Sequence, residues 1–224
     1  VVVAIGAGAL ERALKWRADL WTDTPIVFAV VASNQTQAQP HNTTGRTIRL
    51  SLGDMVSAAN AVVPNLKRVV VLGEPFERQS ATPFRQFASE IKALSPGLSV
   101  VDLTGMPMAE LQEEVSRLPG DSAILYTPIY SDGSGAYFPA AEALQIIARA
   151  ANRPIITPVE TYIGLGAIRG YVLVPRIIGE EAADQVLGLL AGKDPATMPV
   201  MESASLKPVF DWTVMERWRA DPSR

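Results

Sequence analysis

The sequence predicts an α/β protein built on parallel sheets, and three observations carry that prediction. Short apolar runs alternate along the chain with stretches whose apolar residues recur at helical spacing. The runs themselves are continuously apolar, as in Val1 to Ile5, the pattern of a parallel strand covered on both faces. From Lys67 onward, four such runs joined by three helical crossovers imply parallel pairing with right-handed connections. At 224 residues the chain is long enough for one large domain or for two lobes of roughly 100 residues, each with its own core.

In chain order, Val1 to Ile5 is the first strand and Gly6-Ala7-Gly8 the turn, after which Leu10, Ala13, Leu14 and Leu20 form one helical stripe. Ile26 to Ala32 is the second strand. Ser33 to Gly45 is polar, with Asn34, Gln35, Gln37, Gln39, His41 and Asn42, and reads as a long loop. Arg46 to Leu50 alternates charged and apolar side chains as a strand can, and Asp54 is placed to cap a helix running to Val63. The pattern then restarts. Strands are expected at Val69 to Leu72, Leu98 to Leu103, Ala123 to Tyr126 and Ile155 to Thr157, with a loop from Gly73 to Pro83. Between them lie helices marked by Phe84, Phe87, Ala88, Ile91 and Leu94, by Met108, Leu111, Val115 and Leu118, and by Ala143, Leu144, Ile147 and Ala148. A strand from Tyr171 to Val174, a helix from Ile178 to Ala191 ended by Gly192, an irregular return from Asp194 to Pro208 and a short helix from Trp212 to Trp218 complete the chain.

Composition narrows the function. A formal charge of −3 offers no basic field for nucleic acid, and no window approaches the ~20 uninterrupted apolar residues of a membrane helix. Zero cysteines exclude disulfides, thiol chemistry and thiolate metal sites. The single histidine, His41, has no second histidine to form a metal pair, and no G-x-S-x-G nucleophile elbow is present. Glu110, Glu113 and Glu114 read as a solvated helix face. A hydrolase with paired carboxylates stays open through Glu74, Asp132 and Glu160, although spacing alone does not join them.

Three stretches could meet a ligand. Pro154 to Val174 reads as a strand end, a crossing marked by Gly164, Gly166 and Gly170, and a new strand, with Glu160, Thr161 and Tyr162 at the strand end. An ordinary surface loop would read the same. Gly6-Ala7-Gly8 could present helix N–H groups to a carboxylate or phosphate, or serve only as a tight turn; GAGALE lacks the last glycine of the dinucleotide fingerprint. Tyr126 to Gly133 lies at a strand's carboxyl end, where open parallel sheets place ligands, and Asp132-Gly133-Ser134-Gly135 equally suits a flexible turn.

Longer segments carry a family resemblance. NTTGRTIRLSLGDMVSAANAVVPNLKRVVVLGEP resembles the part of ABC-transporter substrate-binding-protein-like domains where an N-x-T-G turn precedes a helix, a proline and a new strand. DSAILYTPIYSDGSGAYFPAAEAL, RPIITPVETYIGLGAIRGYV and IIGEEAADQVLGLLAGKDPATMPV are similar to a subset found as extracytoplasmic sensor regions of bacterial histidine kinases. The ending FDWTVMERW resembles the D-W-x-x-L-x-R-W sequence that follows the binding domain there, with Met215 in place of leucine.

The resemblance implies a type I periplasmic-binding-protein fold, two Rossmann-like lobes holding a small ligand, with residues 1–64 and 163–195 in lobe one and 65–162 and 196–224 in lobe two. It implies that lobe one lacks its initial strand and helix, leaving an apolar surface exposed or paired with another molecule. The expected role is a sensor domain of a two-component histidine kinase, with an ABC importer's solute-binding protein as the alternative; neither makes this region an enzyme. The implied ligand is an amino acid or other small carboxylate, with no cofactor, metal or nucleic acid. The implied setting is periplasmic or extracytoplasmic, with membrane attachment only through flanking segments and a homodimer in the intact receptor. By this analogy Ala7, Gly8 and Ser33 approach the ligand from lobe one, and Glu74, Tyr130, Asp132, Glu160 and Tyr162 from lobe two and the crossing.

Overall fold

A computed structural model of the chain describes residues 1–33, 41–48, 52–74 and 84–218. The chain divides into two units, Val1–Leu50 with Leu173–Lys207, and Ser51–Val172 with Pro208–Arg224.

The first unit is a four-stranded sheet in the order β1 (Val2–Ile5), β2 (Ile26–Ala32), β3 (Thr43–Ile48) and β9 (Met201–Glu202), paired in parallel throughout. Helix α1 (Ala7–Leu20) lays Leu10 and Ala13 on Ala4, Ile26, Phe28 and Val31 of one face. On the other face packs α6 (Pro175–Leu190), which begins three residues before Ile178 because Pro175 suits a first helical position. Gly192, at φ 89°, ends it as expected.

Several local expectations change here. β1 is an edge strand and is not covered on both faces: Val3 and Ile5 are 47% and 65% exposed. Leu20 leaves the α1 stripe and is exposed, since it falls in the last turn beyond the sheet contact. β3 begins at Thr43, inside the stretch read as loop, because Thr44 and Thr47 hydroxyls donate to the Met198 and Met201 carbonyls and satisfy polar side chains within the sheet. Residues Asn34, Gln35, Gln37 and Gln39 of that stretch, and Arg49 and Leu50 of the next strand, lie outside the described residues. The return after Asp194 is not irregular throughout: β9 forms in it, as does β10 (Leu206–Phe210).

The second unit carries a six-stranded sheet in the order β10, β8 (Arg169–Leu173), β7 (Ile155–Ile156), β6 (Ser122–Tyr126), β4 (Arg68–Leu72) and β5 (Ser99–Asp102). The pairings from β8 through β5 are parallel, as the strand and helix alternation predicts. Alternation along the strands divides the core in two. Val69, Val71, Ala123, Leu125 and Ile156 meet α2 (Leu52–Val62), α3 (Phe84–Leu94) and α7 (Trp212–Trp218). Val70, Leu72, Ile124, Tyr126 and Ile155 meet α4 (Met108–Ser116) and α5 (Ala140–Ala150).

Helix α2 therefore belongs to the second unit, not with residues 1–64, because Met55, Val56, Ala59 and Val62 are buried against β4 and its neighbours. Residues 196–207 likewise go with the first unit, since β9 extends its sheet. Asp54 lies inside the first turn of α2 and is not a residue preceding the helix. Leu94, near the end of α3, is exposed, and Ala148 is only half-buried. Most of the loop expected from Gly73 to Pro83 lies outside the described residues.

Candidate functional site at the carboxyl edges of the sheets

Parallel register delivers the polar residues of the second unit to one sheet edge. Leu72 pairs with Tyr126 and Leu125 with Ile156, so the segments leaving β4, β6 and β7 emerge side by side. Glu74, two residues beyond β4, accepts the backbone N–H groups of Tyr130 and Ser131 through Oε1, at 3.2 and 3.0 Å. Thr127 donates its hydroxyl to the Leu72 carbonyl at 3.0 Å. Glu74 thus reaches the loop that carries Asp132 through backbone N–H groups, not through a second carboxylate.

Asp132 is committed within this loop. It is 8% exposed, and Oδ1 accepts the N–H of Ser134, the hydroxyl of Ser134 and the N–H of Ala136, while Oδ2 accepts Met108 N–H from the start of α4. Burial alone would push its carboxyl up; the hydrogen bonds from Ser134, Met108 and Ala136 outweigh that and hold it below the usual aspartate range. Asp132-Gly133-Ser134-Gly135 is consequently a braced turn. Ser131 bridges Tyr137 in antiparallel sense, and a Cβ added at Gly133 would overlap the Gly105 carbonyl oxygen, so only glycine lets the turn lie against the β5–α4 connection.

Phenols gather above this brace. Tyr162, in a single 3-10 turn (Glu160–Tyr162), packs edge-on to Tyr126, with centroids 5.7 Å apart and planes at 71°. Tyr126, at the end of β6, donates to the Ala140 carbonyl at 3.2 Å. Burial, reinforced by Tyr130, pushes the Tyr162 hydroxyl up to about 12; burial with Tyr162 beside it raises Tyr126 as well. Tyr130 itself is 56% exposed. Glu160 is half-buried, and no hydrogen bond or ion pair engages its carboxylate among the described residues. Sequence reasoning passed over Tyr137, the most exposed aromatic of the loop; its signal was its place beside Phe138-Pro139, immediately before a helix.

In the first unit, Ile5 pairs with Ala29, so Gly6-Ala7-Gly8 after β1 and Ser33 after β2 share one edge of their sheet. Gly6, at φ 90°, makes the turn and donates its N–H to Ala29 at 2.8 Å. No side chain caps the helix that follows, leaving the first-turn N–H groups of Ala7 and Gly8 at its positive end. His41 is exposed in the turn before β3. Among the described residues no group of three or more His, Cys, Asp or Glu is placed to hold a metal ion, and no helix is long and apolar enough to cross a membrane.

Two units, each a largely parallel sheet with helices on its faces and polar groups at the strands' carboxyl ends, define the type I periplasmic-binding-protein fold. The sequence profile of the ABC transporter substrate binding protein family matches residues 1–218, and the chain belongs to that family, whose role is binding and not catalysis. No curated protein sequence matches the chain. Among solved structures it is similar to the ABC domain of Streptococcus pneumonia in complex with L-Trp, with 18% identity and a TM-score of 0.70 over 100% of this chain and 75% of that one. The ligand-free, open structure of CD0873, a substrate binding protein with adhesive properties from Clostridium difficile, gives 17% identity and a TM-score of 0.72 over 98% and 73%. A conserved domain protein of Vibrio cholerae gives 23% and 0.67 over 98% and 74%.

Proposed function

We propose that the chain is the solute-binding protein of an ABC importer, working outside the cytoplasm, with an amino acid carrying an apolar or aromatic side chain as its ligand. The observation that carries this reading is the exposed Tyr130 beside the buried Tyr162 on the same sheet edge as the unpaired Glu160 carboxylate. Phenol rings offer an apolar surface with a polar tip, and an unpaired carboxylate suits an α-ammonium group. In the first unit, Ala7 and Gly8 offer first-turn helix N–H groups suited to a carboxylate, with Ser33 on the same sheet edge. Glu74 and Asp132 act one step back, holding the Tyr130 loop through its own backbone. The pneumococcal relative's complex with L-Trp supports the ligand class.

A screen by thermal unfolding tests the reading, because a ligand that binds only the folded state raises its melting temperature. Aromatic and aliphatic L-amino acids should give concentration-dependent rises that their N-acetyl derivatives do not. No rise with any amino acid would overturn the ligand class.

A sensor domain of a histidine kinase is the second reading, favoured by the terminal helix Trp212–Trp218 and its resemblance to the ending of such sensor regions. The family match supports the importer reading more directly. Ligand-dependent stimulation of a reconstituted ABC permease by this chain would decide for the importer, and its absence with a functional permease would favour the sensor.

A further inference from the structure

Two helices of the second unit bring a pair of arginines to one hollow. Arg149 near the end of α5 and Arg217 near the end of α7, with Gln145, Ala148, Leu165 and Gly166, line an open surface hollow of about 300 Å³. Both arginines are exposed, and no carboxylate pairs with either among the described residues. The Arg217 guanidinium lies 5.2 Å from the Trp218 ring centroid, a cation–π contact that restrains it without neutralising its charge. Half-buried Ala148 and Leu165 give an apolar floor. Gly166, at φ 117°, brings loop backbone directly onto α5, where an added Cβ would overlap that of Ala148.

A hollow holding two unpaired positive charges in a chain of net charge −3 has a defined complement. Guanidinium groups present planar forks of N–H donors that match carboxylate and phosphate oxygens, and the Gln145 amide adds a further donor. We propose that this open hollow binds a small free oxyanion, a phosphate or an organic acid with two or more carboxylates. None of its lining residues belongs to the tyrosine edge, so the site is separate from the one proposed for the amino acid. The two regions adjoin: Leu165 donates its N–H to the Tyr162 carbonyl at 3.1 Å, and Leu165 and Ala148 pack against the apolar cluster that holds Tyr162.

Titration of the chain with citrate and with inorganic phosphate, followed through the arginine Nε–H and Gln145 side-chain signals in nitrogen–proton correlation spectra, tests the proposal. Saturable shifts of Arg149 and Arg217 are expected, absent with sodium chloride at matched ionic strength. Arg149→Gln or Arg217→Gln should each weaken binding about tenfold, the loss of one charge-assisted contact, with the melting temperature unchanged because both side chains are exposed. Shifts reproduced by chloride, or an affinity unaltered in both variants, would overturn the site. Binding of a glutamate-rich peptide with no response to citrate or phosphate would overturn its assignment to a free anion.

Discussion

The Asp132 carboxylate accepts the Met108 backbone N–H at 2.8 Å, tying the loop after β6 to the first turn of α4. Its other oxygen holds Ser134 and Ala136, so this side chain braces the turn that follows Tyr130, while Glu74 holds the Tyr130 N–H. Asp132→Asn places an amide NH₂ where one of these donors needs an acceptor, and a destabilisation of about 2–3 kcal/mol is expected in denaturant unfolding. Because the folded carboxyl titrates below its ordinary range, its contribution is present above the unfolded aspartate value and is lost as pH falls through the folded one. The acid limb of the stability profile should therefore be flatter in Asp132→Asn than in the parent chain.

Tyr162 makes the opposite prediction at alkaline pH. Its folded hydroxyl is pushed up to about 12 by burial and by Tyr130, so its contribution is complete below the ordinary tyrosine value of about 10 and is lost as pH rises toward 12. Tyr162→Phe should reduce the loss of stability over that window. An unchanged alkaline profile would place the titration elsewhere.

Tyr130 separates binding from folding. It is 56% exposed and takes part in the brace through its backbone N–H, so Tyr130→Ala should leave the melting temperature within a degree or two while weakening amino-acid binding about tenfold or more. Calorimetric titration would measure the change, and equal affinity would remove Tyr130 from the site.

Gly45 sits in β3 where an added Cβ would overlap the Phe28 carbonyl oxygen and come within 2.5 Å of its ring. Phe28 is fully buried and cannot retreat. Gly45→Ala should cost about 3 kcal/mol, read by denaturant unfolding, whereas Gly8→Ala, with open space around it, should cost little.

Val30 holds φ at 58°, in the left-handed region that β-branched residues avoid, at a bulge where the pairing of β2 with β3 shifts between Phe28 and Val31. Val30→Gly should relieve that strain and leave stability within about 1 kcal/mol of the parent or above it. The same change at the adjoining Val31, buried in the core, should cost about 3 kcal/mol. Equal losses at both positions would contradict the strain.

Local pattern carried much of the architecture. Continuous apolar runs and helical spacing specified the parallel strands β4 to β7 and the helices between them, and Trp212 to Trp218 was legible to the residue as α7. These signals suffice because strand and helix periods are written in neighbouring residues. Burial of a whole strand face is not so written: Val1 to Ile5 looks identical to a covered strand, and only its place at the sheet edge leaves Val3 and Ile5 in solvent. The short β9 and the start of β3, Thr43 to Gly45, escaped for a related reason, since β9 pairs with β3 and the Thr44 hydroxyl meets Met198, each over 150 residues away.

The candidate site divides in the same way. The sequence by itself determined which residue types stand after each strand, and therefore that Glu74, Tyr130, Asp132, Glu160 and Tyr162 would follow β4, β6 and β7. Tertiary structure decided their roles, because a carboxylate's work depends on what faces it. Asp132 and Glu74 meet backbone N–H groups of the Tyr130 loop and are used in bracing it, while Glu160 meets no partner among the described residues. Parallel register across three strands sets those meetings, and no spacing along the chain encodes it.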